Sequence, residues 1–107
     1  MKIHKLFDFK GGWFIGDFDP SVLKTKGFEM AIKYHPKGER WDIHYHKIAT
    51  EYNVLISGRM SIDGKELVAG DIFIIEPDEV ADPEFFEDCC VAVIKIPSVA
   101  NDKWVIK

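Results

Sequence analysis

The chain has 107 residues, of which 47% are hydrophobic and 30% charged, and carries a net charge of −4 at pH 7. That length supports one domain with a sizeable core, and the composition excludes a disordered or fibrous chain. The weak charge is interspersed in sign and forms no basic face for nucleic acid, and no apolar run nears the ~20 residues that span a bilayer.

Met1-Lys2-Ile3-His4 opens neither a signal peptide nor a transit peptide. A cytoplasmic protein is expected, with a small-molecule partner and neither a nucleic-acid nor a membrane one.

Residues 1 to 27 carry the turn signals Gly11-Gly12, Asp19-Pro20 and Gly27 around short segments such as Trp13-Phe14-Ile15, which predicts two short strands and loops. From Phe28 to His35 the chain alternates Phe28, Met30, Ile32 and Tyr34 against Glu29, Ala31, Lys33 and His35. This is the period of a half-buried strand. His35, on the face of Lys33 and Glu29, is expected at the surface. Pro36-Lys37-Gly38 turns the chain.

Arg40 to His46 reads as the next strand, with Arg40, Asp42, His44 and His46 on one face and Trp41, Ile43 and Tyr45 on the other. If the polar face lines a pocket, the aromatic face needs cover from another strand, an N-terminal segment or a second subunit, which argues for a homodimer. The alternative puts the aromatic side in the core and the histidines in solvent.

Glu51 to Ser57 is a further strand, ended by Gly58. Met60-Ser61-Ile62 and Glu66-Leu67-Val68 flank Asp63-Gly64, a two-residue hairpin signal, since both central positions of a type I′ turn need positive φ. Ala69-Gly70-Asp71 turns again. Ile72 to Ile75 is a continuous apolar run, expected to be a fully buried strand. Pro77 to Pro83 is an acidic loop, Val91 to Ile96 another strand stopped by Pro97, and Trp104-Val105-Ile106 a last edge strand or packed tail. No segment keeps a 3.6-residue period for ten residues, so seven to ten short strands in a sandwich or barrel are expected.

The only cysteines, Cys89 and Cys90, are adjacent, so a disulfide between them is strained. They read as reduced, small buried residues of a strand. Glu87 and Asp88 beside them oppose a reactive thiolate.

The chemistry concentrates between Gly38 and Gly58. On a strand His44 and His46 point the same way, roughly 6.5–7 Å apart, which suits one metal ion between them. Glu51, reaching in from the next strand, adds an oxygen donor to two neutral nitrogens, a set that non-haem iron sites use.

Gly38, His44, His46, Glu51 and Gly58 fill the first sequence motif of the cupins: Gly, five residues, His-x-His, three or four residues, Glu, six residues, Gly. The chain therefore resembles a small single-domain cupin over roughly residues 28 to 97. The resemblance implies an all-β double-stranded β-helix, or jelly roll, and a divalent ion (Fe, Mn, Ni or Zn). The family's second motif starts at Gly70-Asp71 and then departs: no histidine follows His46.

One register puts Ala81 in the missing histidine's slot and leaves two histidines and one carboxylate. Slipping by one puts Asp82 there as a fourth donor, and a third possibility is a site without metal. The expected ligands are thus His44, His46, Glu51 and Asp82, with Arg40, Asp42 and Asn53 orienting ligands or substrate. The functions implied are a metal-dependent enzyme with dioxygenase-like or isomerase-like chemistry, a non-catalytic small-molecule or sugar binder, or a metal-free epimerase using a histidine base.

Overall fold

Period-two segments broken by glycine, proline and aspartate turns fold as ten short strands and two three-residue 3-10 turns, with no longer helix among the described residues. The structure, a computed structural model, describes residues 1–106. The strands are β1 (Trp13–Ile15), β2 (Glu29–His35), β3 (His44–Tyr45), β4 (Thr50–Ser57), β5 (Arg59–Ile62), β6 (Lys65–Val68), β7 (Ile72–Ile75), β8 (Pro83–Phe85), β9 (Cys89–Ile96) and β10 (Trp104–Val105).

They make a five-stranded sheet in the order β1-β2-β9-β4-β7, a three-stranded sheet β6-β5-β8, and a ribbon of β10 with β3. From β2 onward the chain repeatedly leaves the large sheet and returns to it. That winding is the jelly roll the sequence implied. No helix among the described residues is long and apolar enough to cross a membrane.

The hairpin forms as expected, with Asp63 at φ 51°, Gly64 at φ 79°, and Ile62 opposite Lys65. Gly58 joins β4 to β5 at φ +92°, where a Cβ would stand 2.3 Å from the Asp88 carbonyl oxygen. Only glycine meets both demands. Between the sheets, Leu55, Val91 and Val93 of the large one meet Met60 and Phe85 of the small one, with Cys89 completing a buried cluster. Both cysteines are free and buried.

Three expectations change. β2 turns Glu29, Ala31, Lys33 and His35 inward and leaves Tyr34 exposed, because the space it faces is a polar-lined cavity and not a dry core. In β7, Ile72 and Ile74 are 71% and 48% exposed, since β7 is an edge strand whose outer face meets solvent. The predicted strand Arg40–His46 shrinks to His44–Tyr45. Residues 40–42 instead line the cavity, where the Trp41 indole donates to Glu39 at 2.9 Å. One strand, β8, lies in a stretch for which no strand was expected.

Candidate functional site

A cavity of about 870 Å³ lies on the inner face of the large sheet. Its walls include His35, His44, His46, Glu51 and Asn53, with Arg40 and Asp42 also lining it. Every residue expected at the site reaches it except Asp82.

His44 and His46 are both buried, with ring centroids 5.3 Å apart and planes 84° apart. Each imidazole is held through Nδ1: His44 donates to the Asp42 carbonyl at 3.0 Å and His46 to the Asp102 carbonyl at 2.7 Å. A ring that spends its Nδ1–H this way keeps a bare Nε2, the nitrogen that accepts a proton or ligates a metal. Burial pushes the His44 pKa down, only partly opposed by its bond to Asp42, so the ring is neutral near pH 7.

Glu51 brings an oxygen to within 3.4 Å of His46 Nε2. Burial pushes its carboxyl up, but its contact with His46, the charge of Lys95 and a bond from Asn53 outweigh that and hold it below the usual range. Glu51 is therefore a carboxylate at neutral pH. Lys95 stands in one row with it: Glu29 on β2, Lys95 on β9 and Glu51 on β4 are successive cross-strand partners. Lys95 Nζ lies 3.4 Å from Glu29, whose other oxygen accepts from Ser98.

Whether these donors fit an ion is a question of spacing. Two ligands about 2.1 Å from one ion lie about 3.0 Å apart at octahedral and about 3.4 Å apart at tetrahedral angles. His46 and Glu51 stand at such a spacing. Among the described residues, no three His, Cys, Asp or Glu side chains gather around one metal-sized point, so His44 would have to close in. By donor type, two imidazole nitrogens and a carboxylate, the three residues are of the kind that binds a divalent ion.

Ala81, not Asp82, sits beside the histidines. Its amide donates to the His44 carbonyl at 3.0 Å and its side chain is buried, so it brings no donor to the histidines. Asp82 is exposed, with its amide on Asp63 Oδ1 at 3.0 Å and its carbonyl accepting from the Asp63 amide, which ties it to the β5–β6 hairpin.

Two units went unforeseen. His35, expected at the surface, is buried and stacked on Phe85 at 4.5 Å, and its Nδ1 pairs with Glu39. Burial pushes its pKa down, opposed by Glu39. The signal was present as His35 and Glu39 bracketing the Pro36-Lys37-Gly38 turn. The second unit is Asp102. Beyond its carbonyl on His46, its carboxylate accepts the amides of Lys47, Ile48 and Ala49 at 2.9–3.2 Å and fixes the turn that follows the histidines. Nothing in the sequence links it to a turn some fifty residues away.

No family model matches the sequence, and no curated protein matches it either. Solved structures do. An uncharacterized conserved protein with a double-stranded β-helix domain from Klebsiella pneumoniae aligns over 97% of this chain and 90% of its own at 20% identity, with a TM-score of 0.70. A cupin protein from Bacteroides fragilis is 25% identical over 71% of this chain and 70% of its own, with a TM-score of 0.56. The DMSP lyase DddQ from Ruegeria pomeroyi is 15% identical over 83% of this chain and 46% of its own, with a TM-score of 0.65. With ten strands in this winding and these neighbours, the chain is a small double-stranded β-helix domain. Its fold is that of the cupins.

Proposed function

We propose that this domain binds a small molecule in its cavity beside a divalent ion held by His44, His46 and Glu51, and acts on it there. The observation that carries the reading is the pair of Nδ1–H bonds to backbone carbonyls, which leaves Nε2 of both rings as the nitrogen for an ion, with the Glu51 carboxylate 3.4 Å from that of His46. The ion is Fe, Mn, Ni or Zn. When bound, such an ion supplies Lewis acidity toward a ligand oxygen or a place for oxygen, the basis of isomerase-like and dioxygenase-like chemistry.

The chain's own residues do the rest. Asp102 fixes the His46 ring, Asn53 and Lys95 help keep Glu51 charged, Ala81 supplies no fourth donor, and Arg40 and Asp42 meet the ligand as it enters. A lyase among the structural neighbours is consistent with chemistry on this fold.

The test is anaerobic loading with each of the four ions followed by elemental analysis, beside a His44→Ala, His46→Ala double variant. One ion per chain in the parent and none in the variant is expected. A parent that takes up none of the four would overturn the metal reading, and uptake without turnover of any small-molecule panel would leave a binding protein.

A second reading is favoured by His35. A neutral imidazole oriented by Glu39 within the cavity is equipped as a general base without any metal, as in the metal-free epimerase alternative. Turnover that survives chelation but not His35→Gln would select it. We also propose a homodimer, on a different face from the one the sequence suggested. Trp41 turns into the cavity and Tyr45 is paired by β10, whereas the outer face of the large sheet exposes Tyr34, Tyr52, Ile72, Ile74 and Ile96. Sedimentation equilibrium at the mass of a single chain would count against it.

A further inference from the structure

Three cations line the cavity without an ion-pair partner among the described residues, Lys33, Arg40 and Lys103, and of these only Lys33 is half-buried while the other two are exposed. Lys33 projects from the inner face of β2, two residues before His35, and lines the cavity. Each nearby carboxylate is already engaged. Glu29 takes Lys95 and Ser98, Glu51 takes His46, and Glu39 takes His35 and Trp41. Among the described residues none of them reaches the Lys33 ammonium at ion-pair distance.

The group is nevertheless placed and not loose. Its Nζ lies 5.7 Å from the centre of the Trp13 ring and 3.0 Å from where a Cβ on Gly11 would stand. Gly11, at φ +59°, therefore leaves the ammonium its room, and Gly12 brings the wall so close to Ile32 that a Cβ there would overlap the Ile32 carbonyl. Lys95 Nζ, 5.2 Å from the same ring, adds positive potential at this corner. Burial pushes the Lys33 amine down, and the charge of Glu39 opposes this only in part.

We infer that Lys33 is an anion-binding subsite of the cavity and that its ligand is a small organic acid, with the carboxylate on Lys33 and the remainder lying along Trp13 toward His44 and His46. A carboxylate fits better than a phosphate ester. Arg40 and Lys103 are exposed, so the one half-buried unpaired ammonium balances one negative charge at this corner, whereas a phosphate carries −1.5 to −2 near neutrality. The inference rests on the small-molecule reading of the cavity but not on the ion.

The test uses metal-free full-length protein and three probes sharing one ring: benzoate, benzamide and phenyl phosphate. Binding is read from the Lys33 amide and Trp13 indole signals in ¹⁵N-correlation spectra. Benzoate is expected to shift both saturably and to bind about tenfold more tightly than benzamide, the factor expected of one charge-assisted contact. Lys33→Met should remove that preference while leaving benzamide binding unchanged, and Lys33→Arg should retain it.

Equal affinity of the parent for benzoate and benzamide, or no binding of either, overturns the subsite even if Lys33→Met fails to fold. A Lys33-dependent preference for phenyl phosphate overturns the carboxylate assignment. Metal uptake by Lys33→Met, measured separately, is expected at the parental level, so loss of the subsite and loss of the metal reading give different results.

Discussion

Asp102→Ala removes the acceptor for three backbone amides, those of Lys47, Ile48 and Ala49. A hydrogen bond to a charged group contributes about 1.5–3 kcal/mol net, but an amide that regains water recovers most of its loss. Lys47 and Ile48 are exposed and their amides can rehydrate, whereas Ala49 is buried and its amide is left without a partner. The expected destabilisation is on the order of 2–4 kcal/mol, read as a lower urea midpoint at pH 7 with an unchanged m-value.

Asp102→Asn keeps one acceptor oxygen without the charge and should lose about half as much. Burial pushes the Asp102 carboxyl up, but the three amides outweigh it and its pKa lies below the ordinary value. The charge therefore contributes its full stability above the unfolded pKa of about 3.9 and loses it as pH falls through the lower folded value. The gap between parent and Asp102→Asn should be constant from pH 5 to 7 and narrow below pH 4. An Asp102→Ala midpoint within about 0.5 kcal/mol of the parent would falsify this account of the turn.

Leu55→Ala empties a fully buried position between the sheets and should cost about 2–5 kcal/mol in urea unfolding, while conservative Leu55→Met should cost under about 1.5. Gly58→Ala forces a side chain onto positive φ and into the Asp88 carbonyl, so a loss of about 2–4 kcal/mol or failure to accumulate folded protein is expected. Burial, with Glu87 and Asp88 acting in the same direction, pushes the Cys89 thiol up. Alkylation of the native protein by iodoacetamide at pH 7.5 should therefore be far slower at Cys89 than after unfolding in urea, as read by peptide mass spectrometry.

The strands were legible where one local rule settled them. Asp63-Gly64 announced its hairpin through the φ demands of two adjacent residues, and the spacing from Gly38 to Gly58 announced the winding that brings His44, His46 and Glu51 to one cavity. What could not be read was which side of a strand faces inward when the interior is polar. β2 carries its apolar residues outward and Lys33 and His35 inward, the opposite of what hydrophobic burial prefers, because a ligand cavity and not a packed core lies beneath it. Asp102 was invisible for a different reason: its partners are set by tertiary closure. Ala81 and Asp82 differed by a one-residue slip, which alternation along an extended chain turns into opposite faces.

The ribbon of β10 with β3 has a consequence for timing. Trp104 pairs with Tyr45 and Val105 with His44, while the Asp102 carbonyl aligns His46 from 56 residues away. During synthesis the histidine pair leaves the ribosome well before residues 102–105, so the His46 ring lacks its carbonyl partner, and the His44 backbone its strand partner, until those residues have emerged and docked. The buried cluster around Leu55 and Met60 draws only on residues up to Val93, so its contacts are all available earlier in the chain than those that hold His46. Chain order thus makes the contacts of residues 102–105 with the histidine segment among the last that the cavity wall can acquire.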